Sequence, residues 1–374
     1  MKKRIFAIGT ILTLVFVMLS FTGCGSEETN EDGTRRIGAI LYGRDDAFGG
    51  QVYAILNYAA EALDVDIMWA LNDFDAESQL AAAENLVAAG AEGIIFLPMN
   101  DNAVQLINNF SRANQVHYKI MFRDIGDADI RAQAQANPFY VGRCFEDNEQ
   151  AAIELVKILA EEGRFNYGLG QITPGTPLAI RNHGFAEGAR AVGGNILATY
   201  TAPADGTTHA YVAYIENFVN SFPDMDGLLM GNASGGAGET IINTLRRLTE
   251  PGHLRIAGFD TFDGMAEGFE EGWLSAIVSG MAPGALFSFV MLYNAVDETP
   301  LADGFTVLNQ RLIAIRSIED YALYRQYINN PNHMVYDADT IRSLTRRHNP
   351  DVTVQDVKNL MALYSLEWVM AQHR

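Results

Sequence analysis

The sequence predicts an α/β fold of two similar lobes, each a parallel sheet with helices on both faces. Three observations carry that prediction. From Arg36 onward, short apolar runs ending in Gly or Asn alternate with amphipathic segments. The arrangement starts again near Tyr167, and the step from Ile37 to its counterpart Ile94 nearly equals the step from Tyr167 to Gly227. A chain of 374 residues with 48% hydrophobic content has room for two cores of ordinary size.

In order, Ile37–Tyr42 reads as a strand, and Val52, Ile55, Leu56, Ala59 and Leu63 after it form a stripe at helical spacing. Val65–Leu71 is the next strand, Ala76–Ala89 a helix, and Gly93–Pro98 a strand stopped by its proline. A helix over Ala103–Asn114 feeds the strand Tyr118–Phe122. Strands separated by helices in this way must run parallel, because only a crossover helix returns the chain to the same sheet edge. The second set comprises Tyr167–Ile172, a helix around Ala186–Val192, a strand Ile196–Tyr200, a helix Tyr211–Asn220, the strand Gly227–Asn232, a helix Glu239–Leu248 and the strand Leu254–Phe259. Trp69 and Trp273 lie in these apolar contexts and read as core. Near the end, Val354, Val357, Met361, Tyr364 and Trp368 trace one helix face, which should pack against a lobe.

The N-terminus has a separate character. Lys2, Lys3 and Arg4 precede an apolar run from Ile5 to Phe21, and Thr22-Gly23-Cys24 follows, the make-up of an export signal over residues 1–23. Its end resembles a bacterial lipobox, with Phe21 where leucine is usual, which implies lipidation of Cys24 and an extracytoplasmic protein anchored to the membrane surface. Residues 24–35, polar and acidic, read as a flexible tether.

Composition excludes several functions. With 26 basic against 46 acidic residues and a net charge of −20, nucleic acid is not an expected partner. With Cys24 modified only Cys144 remains, so neither an internal disulfide nor a cysteine metal site is expected, and the seven histidines show no metal-ligand spacing. Metalloprotease, phosphate-loop and nucleophile-elbow motifs are missing. Gly231–Gly238 is glycine-rich but lacks the lysine of a phosphate site and reads as a tight strand-to-helix turn. No enzyme and no cofactor are expected. In open parallel sheets ligands sit beyond the carboxyl ends of strands, so two lobes facing each other across such edges make a cleft that can hinge shut.

Several ordered segments now carry a resemblance: Ile40–Phe48, Gly90–Ala103 with its strand, proline and acid-rich turn, Ala179–Phe185 with Arg-x-x-Gly-Phe, and Gly258-Phe259-Asp260. From about Arg36 to Arg316 the chain resembles the type I periplasmic binding proteins, specifically ribose- and galactose-binding-like substrate receptors of ABC importers. The resemblance implies two Rossmann-like lobes joined by a multi-strand hinge, with 36–139 plus 281–310 as the first lobe and 140–280 plus 311–316 as the second; residues 317–374 exceed the family core and read as extra C-terminal helices near the hinge, bracing one lobe. It also implies a small-carbohydrate ligand, an ABC permease with its ATPase as partners, and a monomer. Asp46 would accept from hydroxyls and Phe48 stack on the sugar, with Tyr42, Arg44 and Asp45 bordering the same loop. Arg123 and Asp124, in reverse of the usual acid-then-base order, would share the next position. Arg181, Asn232 and Asp260 would act from the second lobe, and His183 lies beside Arg181. Gly280 stands where a hinge glutamine is common, so either one hydrogen bond is missing or the ligand reaches into that space. A carboxylate beside an arginine suits a sugar hydroxyl, which both donates and accepts. Arg44, Arg123, Arg143 and Arg181 together hint at a sugar acid, although the neutral sugar leads. A nucleoside ligand, a sensory role feeding a histidine kinase or chemoreceptor, and an exported sugar enzyme are the alternatives.

Overall fold

The computed structural model describes residues 34–71, 75–173, 177–201 and 208–373. The export signal, Cys24 and most of the tether lie outside them. Arg35, which the sequence reading put in the tether, already pairs with Val65 as the first residue of a strand.

Two six-stranded sheets form the body. The first contains β1 (Arg35–Leu41), β2 (Val65–Leu71), β3 (Gly93–Phe96), β4 (His117–Met121), β5 (Tyr140–Glu146) and β11 (Thr306–Gln310), in the order β11-β5-β4-β3-β1-β2. The second contains β6 (Asn166–Gln171), β7 (Asn195–Thr201), β8 (Gly227–Met230), β9 (Arg255–Phe259), β10 (Leu274–Ser279) and β12 (Ile313–Ile315), in the order β12-β10-β9-β8-β6-β7. Every pairing is parallel except β10 with β12. Each lobe therefore repeats the 2-1-3-4-5 order of a doubly wound sheet, with one returning strand added at the edge. The chain passes between sheets after β5, after β10 and between β11 and β12, and these passages are the hinge.

This topology corrects one boundary. The strand from Tyr140 pairs with β4 and β11, so it belongs to the first lobe, and the passage to the second comes after Glu146 rather than at Phe139.

The helices between strands are α1 (Ala47–Leu63), α2 (Ala76–Ala88), α3 (Asp101–Asn114), α4 (Ala128–Gln135), α5 (Asn148–Glu161), α6 (Ile180–Val192), α7 (Thr208–Ser221), α8 (Ala237–Leu248), α9 (Met265–Glu270) and α10 (Gly284–Val296). Their starts follow from the residues at the strand ends. Asp46, Asp75, Asn100, Asp127 and Asp147 each accept a hydrogen bond from the first turn of the helix that follows. The interior of β1 is apolar on both faces: Ile37, Ala39, Ile40 and Leu41 are fully buried, as in a strand covered by helices on both sides. The isoleucines and the leucine each contribute about 1.5–3 kcal/mol by leaving water. Trp273 is fully buried, whereas Trp69 is half-buried and donates to Asn57 Oδ1 at 3.1 Å.

Helix α10 is buried at every position and packs on β3, β4, β5 and α1. The tail forms α11 (Ile318–Tyr327), α12 (Ala338–Ser343), α13 (Val354–Leu363) and α14 (Leu366–Gln372).

Candidate functional site

The carboxyl ends of both sheets face one cleft of about 630 Å³. From the first lobe, Tyr42, Asp46, Phe48 and Gln51 reach it after β1, Arg123 after β4, and Glu146 at the end of β5. From the second lobe come Arg181 on α6, Ser234–Gly236 and Glu239 after β8, Asp260–Asp263 after β9, and Ser279 and Gly280 after β10. A second cavity of about 670 Å³ shares Arg123, Glu146 and Leu178 with the first and continues between the lobes past Asp124, Asn148 and His183.

Arg181 organises the second-lobe wall. Its side chain is 1% exposed, and Nε donates to Asn148 Oδ1 at 2.8 Å while Nη1 donates to Gly231 O and Asp260 Oδ2, each at 2.8 Å. The guanidinium also lies 4.1 Å from the centre of the Phe259 ring. Asp260 turns its carboxylate inward on a backbone with φ of 70°, a left-handed conformation that is uncommon outside glycine, although aspartate tolerates it better than most.

The first-lobe wall is less self-contained. Asp46 Oδ1 accepts from Gly49 N at 2.6 Å as the α1 cap, and Tyr42 Oη donates to Asp46 Oδ2 at 2.7 Å. Burial, aided by the Asp46 carboxylate, holds the Tyr42 phenol well above its ordinary range. Phe48 meets Phe122 edge-on at 4.9 Å, so its ring is braced from behind. Arg123 donates to the carbonyl of its own neighbour Phe122 at 2.8 Å, and burial lowers its pKa. Glu146 is 2% exposed; Oε2 accepts from Asn148 Nδ2 at 3.2 Å, while Oε1 has no hydrogen-bond partner among the described residues. Burial raises the pKa of this carboxyl, and nearby Arg123 opposes that rise.

Of the residues singled out from sequence, Tyr42, Asp46, Phe48, Arg123, Arg181 and Asp260 meet in the main cleft. Asp124 does not; it lines the second cavity, with Oδ1 at 2.5 Å from Arg143 Nε. The Arg-then-Asp order at this strand end thus resolves with arginine in the main cleft and aspartate outside it. Arg44 and Asp45 are exposed and line neither cavity, Arg44 lying over the Tyr53 ring at 4.9 Å. Asn232 is exposed and caps a turn instead, its Oδ1 accepting from Ser234 N and Oγ at 2.7 Å each. His183 lines the second cavity and sits 2.9 Å from Glu149 Oε1.

The space beside Gly280 is occupied by protein. Tyr364 Oη donates to Gly280 O at 2.8 Å, and a Cβ at Gly280 would lie 2.8 Å from that hydroxyl oxygen. With φ of 93°, the position favours glycine on both counts.

Sequence reasoning missed Gln51, Glu146, Glu239, Asp263, Tyr324 and Asn329, all of which line the cleft. A signal existed for two of them. Gln51 lies three residues after Phe48 and so shares its helix face. Glu146 ends an extended run immediately before Asp147 and Asn148, a strand end followed by a helix start. Tyr324 and Asn329 arrive from a distant segment, which no local pattern announces.

Two doubly wound lobes, a three-passage hinge and polar side chains from both lobes converging on one cleft define a bilobal solute-binding protein. The periplasmic binding protein domain family model matches residues 37–297, and the chain belongs to that family. It is a binding protein and not an enzyme. Among solved structures, a periplasmic ribose ABC transporter protein from Conexibacter woesei superposes with a TM-score of 0.65 at 14% identity, covering 78% of this chain and 95% of its own. An ABC transporter solute-binding protein from Bacillus halodurans with bound myo-inositol gives 0.64 at 16% identity, covering 80% and 100%. One from Agrobacterium vitis bound with α-D-tagatopyranose gives 0.62 at 17%, covering 76% and 95%. At these identities the likeness is one of fold. A search of curated protein sequences returns no match.

Proposed function

We propose that this protein is the extracytoplasmic solute receptor of an ABC importer, tethered through a lipid on Cys24, and that it captures a neutral sugar or cyclic polyol between its lobes. The observation that carries the reading is the convergence of Arg123 and Glu146 from one lobe with Arg181 and Asp260 from the other on a single cleft. Sugar hydroxyls donate and accept at once, and a lining of alternating carboxylates and guanidiniums answers both halves. Tyr42 and Phe48 offer aromatic surface for the sugar's C–H face. Related folds that hold a tagatose or an inositol support the same ligand class.

The charge of the lining favours a neutral ligand over a sugar acid. Among the described residues, Asp46, Glu146, Glu239, Asp260 and Asp263 line the cleft against Arg123 and Arg181. Arg181 is committed to Asp260, Arg143 pairs with Asp124, and Arg44 lies outside, so three of the four arginines that hinted at an acidic ligand are engaged elsewhere. A ligand carboxylate would meet Arg123 and a surplus of negative charge.

Closure follows from two-sided contact. Shifting open to closed from 1:99 to 99:1 takes about 5.5 kcal/mol of differential affinity, and two or three charge-assisted hydrogen bonds made only in the closed state, at about 1.5–3 kcal/mol each, supply it.

The test is a thermal-shift screen against neutral sugars, inositols, sugar acids and nucleosides. At one hundred times its dissociation constant the right ligand adds about 2.7 kcal/mol of stability. A neutral sugar or polyol should give the largest shift and be recovered intact afterwards. A response confined to sugar acids or nucleosides would overturn the ligand class. Unchanged processing after globomycin treatment and in Cys24→Ser would overturn the lipid tether.

A further inference from the structure

Residues 317–373 do not brace a single lobe, as the sequence reading expected; they span both. Helix α11 packs on α9 and β12 of the second lobe, and its Tyr324 Oη donates to Ser279 Oγ at 3.1 Å, at the end of β10. The segment over α12, Ala338–Arg346, is fixed to the first lobe. Ala338 N donates to Tyr58 Oη at 3.1 Å, Arg342 Nε donates to Ala62 O at 3.0 Å, and Asn294 on α10 donates to Leu344 O at 3.2 Å while accepting from Arg346 N at 2.9 Å. The connection over 328–337 is seated rather than slack: Ile328, Val335 and Tyr336 are buried, Tyr336 against Phe287 with ring centres 5.2 Å apart.

This connection passes the mouth of the cleft. Asn329 Oδ1 accepts from Gln51 Nε2 of α1, and Tyr324 and Asn329 line the same cavity as Tyr42, Phe48 and Gln51. Beside them, the Tyr364 hydroxyl closes over Gly280. Val335 and Tyr336 travel with α1 and α10, so an opening motion that carries α1 away from α11 stretches the connection near Asn329, where the Gln51–Asn329 bond resists it.

We propose that the C-terminal segment is a strap forming a third wall of the binding site: it limits how far the ligand-free lobes part, and Tyr324 and Asn329 determine specificity at its end of the cleft. The specificity half rests on the sugar-receptor reading above; the strap half does not. The strap restricts the cleft to a single sugar ring at that end, because Tyr324 and the Gln51–Asn329 pair stand where a second ring would extend.

Small-angle X-ray scattering on the ligand-free full chain tests the strap. Asn329→Ala and Gln51→Ala should each enlarge the radius of gyration by about 5% of the ~20 Å expected for a compact chain of this size, with a broader distance distribution and little loss of melting temperature. Superposable curves for wild type and both variants would overturn it. Hydrogen–deuterium exchange on the wild type needs no variant: slow exchange across 328–337, comparable to α11 and α12, supports the strap, and fast exchange there overturns it. For specificity, wild type and Asn329→Ala are titrated with D-galactose, myo-inositol and lactose. A rise of at least threefold in lactose affinity relative to the monocyclic probes supports the wall, and an unchanged ratio removes it. If none of the three binds either protein, the single-ring sugar specificity falls, while scattering and exchange still decide the strap.

Discussion

On the second-lobe wall, Nε and Nη1 of Arg181 bond Asn148, Gly231 and Asp260 and the guanidinium stacks on Phe259, so its position is fixed by the protein before any ligand arrives. On the first-lobe wall, among the described residues, Arg123 holds only the carbonyl of its neighbour and Glu146 presents an oxygen with no partner. Among the described residues, Glu146 Oε1 is the one buried polar atom of the cleft lining without a hydrogen bond, and it belongs to the first lobe. One lobe is a preassembled clamp, and the other keeps Glu146 and Arg123 in the cleft lining with capacity left for a ligand. A pair of lobes built on one topology has thus divided the work, since satisfied networks give geometry and unsatisfied groups give binding energy.

The sharpest way to break this comparison is Arg181→Ala. Removing one partner of a buried pair leaves Asp260 uncompensated and Asn148 Oδ1 and Gly231 O unsatisfied, which should cost about 3–5 kcal/mol of stability. Arg181→Lys should recover less than half, because an ammonium cannot reproduce the fork that reaches three acceptors. Urea denaturation measures both. A loss below about 1 kcal/mol for the alanine variant would mean that the second-lobe network is not the rigid element.

Next in size is Lys119, whose side chain is fully buried and, among the described residues, donates only to Thr306 O at 3.3 Å. Burial pushes its pKa from 10.5 down to about 7. The unfolded chain holds this proton up to about pH 10.5 and the folded chain only below about 7, so between them the unfolded state binds more protons and stability climbs with pH. Lys119→Met should stabilise the protein by about 2–4 kcal/mol near neutral pH and remove that slope. Denaturation midpoints measured between pH 7 and 9 provide the check, and an equal slope in the variant would clear Lys119 of responsibility.

How much of this was legible beforehand divides along the same line. Strands such as Ile37–Tyr42 and helix α8 announced themselves by apolar runs and periodicity, and Arg181 and Asp260 could be placed at the cleft because each belongs to an ordered local motif, Arg181 opening one and Asp260 closing the other. The strand β5 was assigned to the wrong lobe because the reading placed the passage before it, while its register is fixed by β4 and β11, and β11 lies far along the chain. Helix α10 was not assigned at all; buried on every side, it has no polar face to reveal a period. Asn232 failed for another reason. The residue type that suits a ligand amide also suits a turn, and the turn two residues on was closer. Tyr324 and Asn329 needed the tertiary fold, since nothing in their neighbourhood points to Gln51.

Arg123→Ala separates the two walls by readout. Because Arg123 makes no ion pair within the protein among the described residues, its loss should change stability by less than about 1 kcal/mol. It should weaken ligand binding by one charge-assisted contact, about 1.5–3 kcal/mol or 10- to 150-fold in Kd. Calorimetry with the ligand found by the screen gives the second number. A large stability loss with unchanged affinity would make Arg123 a structural residue and dissolve the division.

The smallest expected effect belongs to Glu146→Gln, and it reads the first-lobe wall most directly. Burial holds the folded carboxyl pKa above its ordinary 4.5. The folded state therefore keeps a proton that the unfolded chain has released, and stability falls as pH rises from about 4.5 through the folded value. Glutamine has the same shape and no charge to bury, so the ligand-free variant should gain about 1 kcal/mol at neutral pH and lose that part of the pH slope. The same change should weaken sugar binding, since an amide oxygen accepts from a hydroxyl less strongly than a carboxylate does. A variant that is more stable yet binds less tightly is what a wall held in reserve for a ligand requires. If Glu146→Gln were instead less stable with binding intact, the carboxylate would be holding Arg123 and Asn148 in place, and both lobes would prove to be clamps.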